Sequence, residues 1–153
     1  KEKQIMAKLG RYSADRKKIK TLTASHTVSV SECGTIFIVD PAATTNITMP
    51  QADAAGKGWW CKIILAESDG AADEDLDQKV NIGFDGQKLY GQTFGSDGDT
   101  GTQALVASSH DFINVANDAS SGDSVEIISD GSSWYAKCLV FDASTWTFGT
   151  AIA

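Results

Sequence analysis

The side chains best suited to acid–base catalysis are few in this chain of 153 residues. Its two histidines are His26 and His110, and His110 stands between Ser109 and Asp111. These three neighbours are the residue types of a hydrolase triad. Consecutive side chains of a strand point to opposite faces, so such neighbours cannot align as nucleophile, base and acid. The sequence therefore predicts no catalytic triad here.

An acidic stretch over residues 66–78 suggests calcium binding instead. Asp73, Asp75 and Asp77 alternate as the first three ligands of an EF-hand loop do. The motif then fails, because neither the turn glycine nor the closing bidentate glutamate is present at its required position. We predict a solvated, acidic loop, with an irregular calcium site at a β-loop as the alternative.

The remaining motifs give no support for a metal or a cofactor. Cys33, Cys61 and Cys138 are far apart and contain no CxxC pair. The glycines form neither a dinucleotide fingerprint nor a phosphate-binding loop. We therefore expect no enzymatic activity, no metal site and no cofactor. The cysteines are predicted to be buried free thiols formed in a reducing cytoplasm, and a disulfide stays open as the alternative.

Four tryptophans, Trp59, Trp60, Trp134 and Trp146, lie in or beside apolar strand-like runs. Such residues are usually anchors of a core or of a subunit interface, and this is the interpretation we favour. The alternative is an exposed platform on which sugar rings stack. A carbohydrate-binding module requires at least two tryptophan rings with solvent-exposed faces, whereas a purely structural protein should bury them.

Turn-forming residues recur about every eight to twelve residues from position 21 onward, between β-branched and aromatic runs. This pattern predicts one all-β domain over residues 21–153, an antiparallel β-sandwich or a barrel-like fold. The predicted strands cover residues 21–31, 35–40, 45–49, 58–66, 79–84, 87–94, 102–108, 111–116, 123–129, 133–141 and 145–148.

Four segments support three more specific predictions. Val28 and Val30 alternate with polar residues and should share one face of a half-buried strand. The runs 35–39 and 59–65 are nearly continuously apolar, which is typical of strands covered on both faces. Asp130-Gly131 between two alternating runs predicts a tight antiparallel hairpin.

Charge divides the chain into two parts. Residues 1–20 contain eight Lys and Arg against two acids, whereas the remaining residues contain five against eighteen. An acidic body would be repelled by nucleic acid, so an acidic protein surface is the better partner for this basic N-terminal arm. We predict that the arm binds a partner through its basic and aromatic side chains, namely Lys8, Arg11, Tyr12, Arg16, Lys17, Lys18 and Lys20.

The layout of several segments resembles a known class of proteins. These segments are Gly34–Asp40, Asn46–Pro50, Gly58–Leu65 and Gly122–Tyr135. Their pattern is similar to that of small β-rich structural proteins of tailed bacteriophages, especially the capsid decoration (cement) proteins of marine and cyanobacterial phages. Similar strings occur in phage tail and fibre proteins. The resemblance covers about residues 21–141 and includes no catalytic motif.

This resemblance implies an all-β body, commonly trimeric, that sits between major capsid proteins and reinforces the shell. The expected role is therefore a homo-oligomeric decoration protein on the outer capsid surface, made in the host cytoplasm and docked through residues 1–20. Nucleic acid is not expected as a partner because the acidic body would repel it. A membrane is not expected either, because no window holds the roughly 18 to 20 apolar residues that a membrane span needs. The alternative is a receptor- or carbohydrate-binding module of a phage tail or fibre.

Overall fold

The computed structural model describes residues 17–66, 78–96, 101–105 and 110–150. These ranges contain strands β1 Lys18–Leu22, β2 His26–Thr27, β3 Thr35–Val39, β4 Thr45–Thr48, β5 Lys57–Leu65, β6 Val80–Gly83, β7 Leu89–Ser96, β8 Gly101–Leu105, β9 Phe112–Val115, β10 Ser124–Asp130, β11 Trp134–Asp142 and β12 Trp146–Gly149. They also contain helix α1 Ala52–Ala55 and the 3-10 helices Val30–Glu32 and Ala143–Thr145. The predicted all-β fold is confirmed.

Two sheets pack face to face as a sandwich. One has seven strands in the order β1-β3-β5-β10-β11-β7-β8, and the other has five in the order β12-β9-β6-β4-β2. The first six strands alternate between the sheets, and each lies parallel to the strand two before it. The chain thus winds around the core before its later strands add antiparallel pairs. The sheets are mixed, not purely antiparallel as the sequence had suggested.

The core lies between the two sheets and includes most of the tryptophans. Trp59, Trp134 and Trp146 are buried. The rings of Trp59 and Trp134 meet edge to face with centroids 5.5 Å apart, a favourable geometry for aromatic pairs. Trp134 also packs against Phe84 at a centroid distance of 5.9 Å. Three of the four tryptophans are therefore core anchors, as we favoured from the sequence.

The predicted hairpin is confirmed between β10 and β11, which pair antiparallel. At its turn Gly131 has a φ of 91°, a conformation that glycine adopts without strain. The Asp130 carboxylate accepts hydrogen bonds from the amides of Ser132 and Ser133 at 2.8 and 2.7 Å. These bonds lower the pKa of Asp130 to about 2 and fix the turn.

The segment 21–31 differs from the prediction of one continuous strand. Val28 is buried, but Val30 is exposed because it begins the 3-10 helix Val30–Glu32. The Glu32 carboxylate accepts a hydrogen bond from the Ser29 amide at 2.8 Å, which is half of a capping box. This local cap competes with the alternating pattern and ends the strand early.

The three cysteines are free thiols, as predicted. Cys61 and Cys138 are buried, and burial raises the pKa of both, that of Cys138 to about 12. Cys33 departs from the prediction because it is exposed. It directly follows the 3-10 helix and is not part of a strand. None of the helices in the described ranges is long and apolar enough to span a membrane.

Candidate partner-binding surfaces

The basic arm joins the body through β1, the outermost strand of the seven-stranded sheet. β1 lies parallel to β3 and pairs with it from Lys18 to Leu22. Leu22 is buried, whereas residues 17–20 are exposed. Lys18 and Lys20, the last basic residues of the arm, therefore lie within the edge strand of the sheet.

An ionic cluster fastens β1 to the body. Lys20 Nζ lies 2.7 Å from Glu32 Oε1, and His26 Nε2 lies 3.1 Å from the same carboxylate. Burial alone would raise the pKa of Glu32, but the hydrogen bonds from Lys20, Ser29 and His26 outweigh it and lower that pKa to about 2. Glu32 is therefore ionised at neutral pH and holds the edge strand through Lys20.

Replacing Glu32 with glutamine should loosen β1. The amide keeps a hydrogen-bond acceptor but loses the charge that attracts Lys20, and for a partly exposed pair we expect a loss of about 1 kcal/mol. Hydrogen exchange of the β1 amides should accelerate in the variant. The pKa of Glu32 in the folded state lies below its ordinary value of 4.5. The stabilisation that Glu32 gives the wild-type protein is therefore complete above pH 4.5 and declines as the pH falls toward 2.

The matched control for this prediction is Asp118→Asn, since Asp118 is an exposed acid in the β9–β10 connection. It should leave β1 exchange unchanged. Equal exchange rates for wild type and Glu32→Gln would show that the cluster does not hold β1.

The structure describes three of the predicted arm contacts, Lys17, Lys18 and Lys20. Lys20 is paired with Glu32 of its own chain, and Lys17 Nζ lies 5.7 Å from the ring centroid of Trp60. Both cations therefore contribute to attaching the arm to the body. The other predicted contacts, Lys8, Arg11, Tyr12 and Arg16, lie outside the described residues.

The second surface is the outer face, defined here as the side of the seven-stranded sheet that points away from the five-stranded sheet. Along β11 the side chains alternate between core and solvent, so Tyr135, Lys137, Leu139 and Phe141 point outward. Leu139 is 64% exposed and Phe141 74%. The described residues leave a sheet face uncovered that carries unusually large apolar side chains.

The register of the paired strands places the outward side chains in three rows. Each row crosses four strands, which lie side by side in the order β5, β10, β11 and β7. The aromatic row consists of Trp60, Ile128, Tyr135 and Tyr90. The central row consists of Lys62, Glu126, Lys137 and Gln92. The aliphatic row consists of Ile64, Ser124, Leu139 and Phe94.

A groove of about 540 Å³ lies on this face over β10, β11 and β7. The rings of Tyr90 and Tyr135 stack in it with centroids 5.5 Å apart and planes 20° from parallel. Lys137 Nζ lies 5.5 Å from the Phe94 ring centroid. The Tyr135 hydroxyl donates to Asp130 at 3.1 Å, and this bond raises the pKa of Tyr135. The groove offers aromatic and charged groups together.

No protein-family model matches this chain, and no curated protein matches it.

The candidate ligands for a metal ion are dispersed in the part of the chain that the structure describes. There, no group of three or more His, Cys, Asp or Glu side chains is close enough to hold a metal ion. His110 forms an isolated bridge with Leu89, while Ser109 lies outside the described residues. Residues 67–77 also lie outside them, so the calcium alternative stays a prediction.

The exposed tryptophan platform is not formed. Trp59, Trp134 and Trp146 have at most 3% of their surface exposed, and the half-buried Trp60 has Lys17 over its ring. The exposed aromatic groups are instead Tyr135 and Phe141, which the sequence analysis did not single out. Their signal was the alternation of side chains at every second residue from Tyr135 to Phe141, in the strand that follows the Asp130-Gly131 turn.

Proposed function

We propose that this chain is a non-enzymatic structural protein of a bacteriophage virion. It decorates and cements the capsid by docking on the major capsid protein through its basic N-terminal arm, and it associates with copies of itself. The phage assignment rests on the sequence resemblance described above. The docking role rests on the arm and on how the arm is joined to the body.

The observation that carries the proposal is the connection between a cationic segment and a rigid edge strand. A tether transmits force only if its end is fixed, and β1 is fixed by backbone pairing with β3 and by the Lys20–Glu32 ion pair. The arm leaves from the rim of the sheet, where it can reach a neighbouring subunit. The acidic body disfavours nucleic acid as the partner and leaves an acidic protein surface as the better one.

Docking by such an arm is expected to be multivalent. A single short arm makes few contacts and therefore binds weakly. Copies that are linked through self-association bind with a higher effective concentration, and the shell offers the same contact many times. Weak individual contacts can therefore add up to stable decoration without a catalytic or cofactor site.

Charge reversal in the arm tests this proposal. Arg11→Glu combined with Arg16→Glu should lower the fraction of protein that cosediments with purified particles of the source phage by about tenfold. Binding by the wild type should also weaken as salt increases. The matched control is Lys79→Glu with Lys88→Glu, two exposed basic residues of the body. Equal cosedimentation of both double variants would contradict arm-mediated docking.

A second candidate function, a receptor- or carbohydrate-binding module of a phage tail or fibre, is favoured by the groove. Tyr90 and Tyr135 provide aromatic surface, and Gln92, Glu126 and Lys137 provide hydrogen-bonding groups beside it. Calorimetric titration with oligosaccharides tests this alternative. It requires saturable binding that Tyr90→Ala abolishes.

A further inference from the structure

We propose that the outer face is the interface of a two-fold dimer, so that a second copy of this chain covers it. In this arrangement the seven-stranded sheets of the two copies face each other. The two-fold axis lies in the plane between these two sheets, runs parallel to the strands, and passes between β10 and β11. The inference deepens the proposed function, on which it rests for the role of self-association. It names the surface and the symmetry through which the copies meet.

The first argument is that these strands have the composition of strands covered on both sides. The runs 35–39 and 59–65 are nearly continuously apolar, which is typical of strands buried on two faces. Within the described residues only their inner side chains are buried, while Ile36, Ile38 and Ile64 stay partly exposed. The missing cover for the second face must come from outside these strands.

The second argument is area. In the proposed dimer six strands from β3 to β8 overlap, and at a spacing of about 4.8 Å they span about 29 Å. Three rows of outward side chains extend about 20 Å along the strands. Because β3 and β8 lie beside their neighbours over only two of these rows, each copy contributes about 500 Å² and the pair about 1,000 Å², the lower bound for a specific protein–protein interface.

The third argument is self-complementarity. An axis between β10 and β11 exchanges these two strands and also exchanges β5 with β7. Glu126 then faces Lys137 of the other copy, and Lys62 faces Gln92. Every charge of the central row thus meets an opposite charge or a neutral amide. An axis on β10 would instead oppose Lys62 and Lys137, two like charges, so the charges disfavour that position.

The apolar rows are matched by the same axis. In the aromatic row, Trp60, with Lys17 of its own chain over the ring, faces Tyr90 of the other copy, and Ile128 faces Tyr135. In the aliphatic row, Ile64 faces Phe94 of the other copy. A two-fold axis makes each of these contacts twice, as in an isologous interface. A three-fold trimer could not pair this face with itself, so the arrangement differs from the trimer that the resemblance implies.

The experiment is multi-angle light scattering on the full chain over concentrations of about 1 to 100 µM. We expect the wild type to have twice the mass of one chain. Glu126→Lys places a lysine opposite Lys137 of the other copy, and Lys137→Glu places a glutamate opposite Glu126. Each variant alone should raise the dimer dissociation constant by at least about tenfold. Asp118→Lys, an acid-to-base change in the β9–β10 connection, should leave it unchanged.

Mixing the two variants separates contacts between copies from contacts within one chain. In a mixed pair, both cross-interface contacts again join opposite charges, although each chain keeps its own unfavourable neighbour within the sheet. We therefore expect native mass spectrometry to detect a heterodimer at concentrations where each variant alone is monomeric. Melting curves close to that of the wild type establish that both variants are folded.

Several results would overturn the inference. These are a wild-type monomer throughout the concentration range, an oligomer that Glu126→Lys does not weaken, or variants that remain apart when mixed. A monomer that binds an oligosaccharide in the groove would also overturn it. A monomer that still decorates capsids would leave the proposed function standing, whereas a dimer that ignores capsids would support this interface and count against that function.

Discussion

Replacing Asp123 with alanine should destabilise the fold by about 2 to 4 kcal/mol. Asp123 is 4% exposed and accepts hydrogen bonds from the Phe141 amide at 2.8 Å and from Trp146 Nε1 at 3.1 Å. One carboxylate thereby connects the start of β10, the end of β11 and the tryptophan that begins β12. Alanine would leave two donors without this acceptor, and chemical denaturation would measure the loss.

A conservative variant and a control sharpen this prediction. Asp123→Asn keeps one acceptor oxygen and should lose less, about 1 to 2 kcal/mol. Asp118→Ala, at an exposed acid of the β9–β10 connection, should change stability by less than about 0.5 kcal/mol. If Asp123→Ala were no more destabilising than Asp118→Ala, this carboxylate would not connect the two sheets.

Asp123 also predicts a pH dependence. Burial raises its pKa, and the hydrogen bonds from Phe141 and Trp146 offset only part of that effect. At pH values between the ordinary pKa of 3.8 and the raised pKa of the folded state, the folded protein therefore keeps a proton on Asp123 that the unfolded chain has released. The contribution of this residue to stability falls as pH rises through that window. Asp123→Ala should remove this part of the pH dependence, and a series of denaturation curves would reveal it.

The second large effect is expected for Trp134→Ala, at about 3 to 5 kcal/mol. Trp134 is fully buried between Trp59 and Phe84, and its Nε1 donates to Gln87 Oε1 at 3.2 Å. Alanine would leave a large cavity in a core that cannot collapse around it, because the neighbouring side chains belong to different strands and loops. The free energy of unfolding from denaturant titration measures the effect.

Tyr135→Ala is the matched control for Trp134→Ala, because Tyr135 is the next residue along β11 and points to the opposite face. At a concentration that keeps the chain monomeric, it should cost about 1 kcal/mol, since nearly half of the ring is already exposed. Comparable losses for the two variants would contradict the assignment of inner and outer faces. Trp134→Phe should lose only part of the effect, because most of the ring contacts remain.

Local patterns were sufficient to predict most strands but not their pairing. The Asp130-Gly131 turn brings together neighbours in sequence, so the β10–β11 hairpin could be predicted from the residues alone. β7 lies parallel to β11, which is remote in sequence, and no local signal encodes that choice. The same limit hides the stack of Tyr90 on Tyr135, which exists only because of this long-range register.

The surfaces show a similar division. The charge contrast between arm and body is visible in the sequence. The ion pair between Lys20 and Glu32, in contrast, depends on how β1 packs beside the 3-10 helix. Ser29 and Glu32 carry a capping-box signal that could have ended the predicted strand before Val30. The outward direction of Leu139 and Phe141 could also have been derived from strand alternation, once Trp134 was placed in the core.

The most direct test of the central claim, that the basic arm fastens an all-β body to a capsid, is the occupancy of particles by a truncated chain. Deleting residues 1–16 removes most of the arm but keeps β1 and its Lys20–Glu32 pair, so the body should stay folded. Cryo-electron microscopy of particles incubated with the full and truncated chains would measure occupancy. We predict regular decoration by the full chain and near-complete loss by the truncated one. Equal decoration by both would contradict the account.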